Sequence, residues 1–175
     1  MIYIPVMAEL IISISGVRGI IGDNLGPKEA AEFGMAYGSF LRQLTQDQSP
    51  PKVCIGRDSR PSGQMLAAAI SSGLMATGCE TIDLGIVTTP GVALMTRFLS
   101  CKGGIVVTAS HNPVEYNGIK FLRHDGIAYP ADEVRQIHQR YFDKDFTTQT
   151  AQAVAGTAGN SKAHAVHVDM VLRIC

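Results

Sequence analysis

Two rhythms of apolar and polar positions alternate along this chain. Leu10 to Ser15 is β-branched and strand-like, and it runs into Gly16-Val17-Arg18-Gly19, a glycine-bracketed arginine expected in a loop. From Pro27 to about Leu44, Ala31, Gly34, Tyr37/Gly38 and Leu41 recur at helical spacing. That pattern predicts a helix with those residues on its inner face, and Pro27 suits its first turn. Ser49-Pro50-Pro51 then breaks the chain ahead of a strand from Lys52 to Gly56. A helix follows over Pro61 to Thr77, closed by Gly78. Glu80 to Ile86 reads as a strand, Gly91 to Leu99 as a short helix and Gly104 to Val107 as another strand. This order predicts a three-layer α/β/α sandwich around a mixed, mainly parallel sheet of about four strands.

Past Val107 the rhythm changes. Ile119 to Leu122 and Ile127 to Tyr129 read as short strands around His124-Asp125-Gly126, which carries the Asp-Gly turn signal. Pro130 to Phe142 is helical, with Val134, Ile137 and Tyr141 on one side. Residues 146–164 turn to Thr, Gln, Ala, Gly and Ser and are expected to be a linker. Residues 165–175 regain helical amphipathicity through Val168, Val171, Leu172 and Cys175. The domain is therefore expected over 10–145, after a tail at 1–9 in which Met7 is an alternative start, with 165–175 the first helix of a truncated second domain. The apolar stripe of that helix would invite a homodimer or exchange of the segment between chains.

Composition narrows the function classes. The 15 basic residues balance the 15 acidic ones, which gives no electrostatic case for nucleic acid or an anionic membrane. No apolar run reaches the length of a membrane span. The cysteines, Cys54, Cys79, Cys101 and Cys175, are far apart and form no Cys-x-x-Cys pair. A disulfide framework or zinc site is not expected, and a reducing cytoplasm fits better. His124, His138, His164 and His167 are read as surface, turn or linker residues rather than metal ligands.

The candidate chemistry sits in polar loops at strand ends, where ligands bind in α/β proteins. They are Ser15-Gly-Val-Arg-Gly19, Gly56-Arg-Asp-Ser-Arg60, Thr108-Ala-Ser-His-Asn-Pro113 and Tyr116-Asn-Gly-Ile-Lys120. Ser110 offers a hydroxyl in the loop that follows a β-branched, apolar strand. A Ser-His-Asp hydrolase with Asp58 as third member is the obvious rival, yet no Gly-x-Ser-x-Gly elbow surrounds Ser110. His111 is moreover its immediate neighbour, and adjacent residues in extended backbone point to opposite sides. Arg57, Asp58 and Arg60 are read either as phosphate binders or, preferably, as an ion-pair brace for neighbouring loops. Thr88-Thr89-Pro90 could donate hydroxyls to a ligand, and capping of the next helix explains it equally well.

Taken together, in this order, the four motifs resemble the α-D-phosphohexomutases, the phosphoglucomutase, phosphomannomutase and phosphoglucosamine mutase superfamily. The resemblance covers roughly 10–145 and implies the first domain of such an enzyme. It implies that Ser110 carries a phosphoryl group, which needs cations and donors around its charge. Arg18 and Lys120 would supply charge, Asn112 hydrogen bonds, and His111 and Lys120 general acid/base duty, while Asn117-Gly118 reads first as a turn and second as a ligand contact. The resemblance further implies one Mg²⁺, held by phosphorylated Ser110 and an Asp-rich loop of a second domain. A hexose phosphate would be the substrate and a hexose 1,6-bisphosphate the activator and intermediate. Phosphate would thereby move between the 1- and 6-positions. With only one wall of that site present, the chain alone is expected to be inactive. A non-catalytic phosphosugar- or anion-binding module is the alternative.

Overall fold

The computed structural model describes residues 9–45 and 49–173; the N-terminal tail and Cys175 fall almost wholly or wholly outside them. Among these residues seven strands form one sheet: Ile11–Ser13 (β1), Gly16–Ile20 (β2), Lys52–Arg57 (β3), Glu80–Ile86 (β4), Gly103–Val107 (β5), Tyr116–Arg123 (β6) and Thr157–Gly159 (β7). Their order across the sheet is β1-β2-β6-β5-β3-β4-β7. β3 pairs in parallel with β4 and β5, and β4 with β7. β1 with β2, β2 with β6 and β5 with β6 are antiparallel. The sheet is mixed, as the sequence predicts. It has seven strands rather than four, and its parallel pairings are confined to the β5-β3-β4-β7 half.

The additional strands have local causes. Arg18 is not in a loop: Gly16 has φ +121° and hands the chain from β1 into β2, where Arg18 pairs with Gly118. A Cβ at Gly16 would strike the Ile119 carbonyl, so the glycine marks a close strand approach. β6 runs unbroken from Tyr116, whereas Ile127–Tyr129 contributes only the single bridge Leu122↔Ala128. β7 lies inside the segment expected as a linker and adds to the edge of the sheet through its main chain.

The helices are Pro27–Leu44 (α1), Gly63–Ala76 (α2), Thr89–Phe98 (α3), Ala131–Asp143 (α4) and Ala163–Leu172 (α5). Strand alternation sorts them onto two faces. Val17, Val53, Ile55, Ile105, Val107, Ile119 and Phe121 pack with α1, α2 and α4 in one core. Cys54, Leu84, Val106 and Leu122, the intervening positions, pack with α3 and the start of α5 in the other. The result is the expected α/β/α layering. α1 buries a wider face than its spacing suggests, Phe33, Ala36 and Phe40 included, while Ala31 is only half-buried. The reason is a second contact: Gly34 and Gly73 leave no room for a Cβ against the facing helix, so α1 and α2 touch backbone to backbone. α5 buries Ala163 alone and leaves Val168, Val171 and Leu172 exposed.

Candidate functional site

β5 is buried throughout and ends at Val107; Thr108 and Ala109 remain buried, while Ser110 and His111 emerge into solvent. Ser110 has φ +56°. A non-glycine residue in this left-handed region costs roughly 1–2 kcal/mol and persists only where its surroundings hold it. Here they do. The Ser110 N–H donates to Thr108 Oγ1 (3.0 Å), and the Thr108 hydroxyl donates to Asp58 Oδ2 (2.7 Å). Asp58 is itself anchored through its N–H to Val107 O (3.1 Å). Asn112 closes the turn, its N–H and Nδ2 both donating to Ala109 O (3.1 and 2.8 Å).

Arg60, between β3 and α2, holds this turn from outside. Its Nε donates to Asp58 Oδ2 (3.2 Å). Nη1 donates to Pro113 O (2.6 Å) and Tyr116 O (3.1 Å), and Nη2 to Ser110 O (3.0 Å) and Asn112 O (2.6 Å). A guanidinium has five N–H donors in a fixed fork, and all five are used. Four of them encircle the main chain of 110–116, so Arg60 braces the loop that displays the Ser110 hydroxyl. Asp58 is shared between this guanidinium and Thr108, which joins the two loops into one unit.

The other candidates fall into distinct places. Asn117 is fully buried; its Nδ2 donates to Ser62 Oγ (2.9 Å) ahead of α2, and its Oδ1 accepts from Gly118 N (2.8 Å). It therefore ties β6 to α2 rather than facing solvent. His111 Nδ1 stands 3.4 Å from Ser110 Oγ, beyond the range of a strong hydrogen bond. Arg18 and Lys120 are half-buried and share one sheet face, because their flanking partners Val17 and Ile119 belong to the core on the other face. Gly118 pairs directly with Arg18, and its carbonyl accepts from Thr108 N (3.0 Å), so both cations flank the root of the Ser110 turn. Among the described residues neither has an ion pair or side-chain hydrogen bond. Arg57 points elsewhere: its Cδ lies against Gly63, and it lines a cavity of about 370 Å³ with Gln64 and Asp83 under α2.

A solvent-facing hydroxyl on a strained turn, with two unpaired cations on the adjacent strands, is suited to carrying an anionic group. Residues 10–163 match the family model described as phosphoglucomutase/phosphomannomutase, alpha/beta/alpha domain I. The chain belongs to this family. A phosphoglucomutase/phosphomannomutase of Thermococcus kodakarensis is 43% identical over 131 residues, which are 75% of this chain and 28% of that protein. A phosphoglucosamine mutase of Pediococcus pentosaceus is 49% identical over 130 residues, 74% of this chain and 28% of that protein. The chain thus spans less than a third of the length of these curated relatives. Among solved structures, a phosphoglucomutase/phosphomannomutase family protein from Burkholderia thailandensis aligns with TM-score 0.75 and 31% identity over 89% of this chain and 35% of that one.

Within this phosphomutase domain, sequence reasoning passed over two site residues. Thr108 stands in the quoted motif, yet its relay between Asp58 and the Ser110 N–H has no spacing signal. Ser62 is hidden for the same reason, since its partner Asn117 is 55 residues away. Among the described residues no three His, Cys, Asp or Glu side chains gather as a metal site.

Proposed function

We propose that this chain is the phosphoryl-carrying domain of a phosphohexomutase, with Ser110 accepting phosphate from, and returning it to, a hexose phosphate. The observation that carries the reading is the Ser110 turn. Its hydroxyl is exposed, its backbone is held left-handed by Thr108 and Arg60, and Arg18 and Lys120 lie unpaired on the neighbouring strands. In the forward step Ser110 Oγ attacks the phosphorus of a bisphosphorylated hexose as the sugar oxygen leaves. A nearby base takes the serine proton, and the sugar oxygen regains one. His111 and Lys120 are the groups proposed for those transfers, and Arg18 for holding the phosphoryl charge. The reverse step, at the other sugar hydroxyl, moves phosphate between the 1- and 6-positions.

Mg²⁺ would balance phosphoryl charge in such a step. The residues here do not make a Mg²⁺ site by themselves. Asp58 is committed to Arg60 and Thr108, which leaves only a phosphoryl oxygen on Ser110 as ligand. The free-standing chain is therefore proposed not to turn over hexose phosphates. The test is intact mass after incubation with a hexose 1,6-bisphosphate and Mg²⁺. Wild type is expected to gain one phosphoryl group mapped to Ser110, and Ser110→Ala none. Failure of wild type to label, with retained binding of the sugar phosphate, would favour a non-catalytic binding module.

A further inference from the structure

At the end of the sheet opposite Ser110, two cysteines from separate elements meet. Cys54 lies on β3, Cys101 in the turn between α3 and β5, and their sulfurs are 3.1 Å apart. Both thiols are free, Cys54 fully buried and Cys101 2% exposed. Cys79 belongs to the other face, its thiol directed at Gly38 O, and cannot reach the pair. Cys101 also borders a cleft of about 410 Å³ in which Arg97, Lys102 and His124 outnumber Asp125. Cys101 is thus the member of the pair that lies against this cleft.

We propose that Cys54 and Cys101 form a reversible dithiol/disulfide pair, oxidised by small hydroperoxides entering from this cleft and restored by small dithiols. The Cys101 thiolate attacks the peroxide oxygen, breaking the O–O bond; it becomes a sulfenic acid and the peroxide leaves as water or an alcohol. Cys54 then loses its proton, its sulfur attacks that of Cys101, and hydroxide departs with the proton as water. Closure from 3.1 Å to a bond of about 2.05 Å needs only a small movement of two side chains. The order of events follows from the pair itself. Cys101 borders the cleft whereas Cys54 is fully buried, and the thiol–thiol contact together with Lys52 lowers the proton affinity of Cys101 while that contact and burial raise that of Cys54. Cys101 is thus the attacking sulfur and Cys54 the resolving one.

The bond would tie β3 to the turn ahead of β5. Those two strands carry Asp58–Arg60 and Thr108–Pro113 at their far ends, so oxidation would fix the pair that supports the Ser110 loop. The experiment oxidises the reduced chain with stoichiometric hydrogen peroxide, blocks remaining thiols and maps peptides. Titratable thiols are expected to fall from all four cysteines to two. A Cys54–Cys101 cross-link should account for the loss, dithiothreitol should reverse it, and Cys79→Ala should leave it unchanged. In Cys54→Ala the reaction should stop at a sulfenic acid on Cys101, trapped by dimedone. A cross-link through Cys79 or Cys175 would overturn the proposal. So would over-oxidation of wild-type Cys101 with Cys54 still reduced, or oxidation that needs denaturant.

Discussion

Arg60→Ala removes five hydrogen bonds in one substitution, and their worth can be worked out from where they lie. The Arg60 side chain is 13% exposed and its Asp58 partner 30%, so this is neither a surface pair nor a deeply buried one. The bonds to Asn112 O and Tyr116 O are partly buried, and those to Ser110 O and Pro113 O are exposed. Shielded carbonyls lose about 1.5 kcal/mol each when a charged donor is deleted, and exposed ones much less because water replaces it. The carbonyl contacts then total about 4 kcal/mol, offset by about 2 kcal/mol of arginine rotamer freedom regained. A net loss of about 2 kcal/mol is expected. Urea denaturation followed by circular dichroism measures it as a lower midpoint at unchanged slope. Amide exchange over 108–117 should accelerate well beyond the global change. Arg60→Lys should recover less than half the loss, since an ammonium offers three donors from one point. A loss below about 1 kcal/mol, with the Ser110 and Asn112 amides exchanging as in wild type, would refute the clamp.

Two further outcomes follow from the same geometry and from the α1–α4 packing. Ser110→Gly should stabilise the chain by about 0.5–1 kcal/mol by relieving the left-handed backbone, whereas Ser110→Ala should not; equal denaturation midpoints for the two variants would count against strain at this residue. His138 on α4, read from the sequence as a surface or turn residue, is buried with Nε2 unpartnered and its ring at a steep angle to Phe33, and burial holds its pKa below the ordinary 6.5. The unfolded chain therefore takes up this proton first, so the His138 contribution is intact above about pH 6.5 and declines as pH falls toward the folded value. His138→Phe should flatten the melting temperature between about pH 7 and pH 5, and an unchanged slope would exclude His138 as its source.

Elements whose buried side chains repeat with a clear period were legible in the sequence. α1, β3, β4 and β5 stand within a residue or so of the expected bounds, because their cores are built from Val, Ile, Leu and Phe at strand or helix spacing. β2 was hidden by Gly16 and Gly19, which look like loop residues but are small because neighbouring groups press on them. β7, Thr-Ala-Gly, has no apolar alternation to announce it and is held only by main-chain pairing to β4. The site divided in the same way. The Ser110 motif was visible as residue types in order. The brace made by Asp58 and Arg60 was legible as an ion pair, but the grip of Arg60 on the loop was not, because those partners are carbonyl oxygens, which every residue possesses and no sequence pattern marks.

That grip has a consequence for how such a loop can change. Apart from Asp58, every acceptor on Arg60 is a main-chain oxygen, so the clamp is indifferent to the side chains presented above it. Val114 and Glu115 are exposed, and their side chains make none of the bonds that shape the turn. Aim and choice are thereby assigned to different atoms: the backbone fixes where the hydroxyl points, and the exposed side chains decide what meets it. Substitution at those two positions is free to retune what the loop accepts while Ser110 stays where it is.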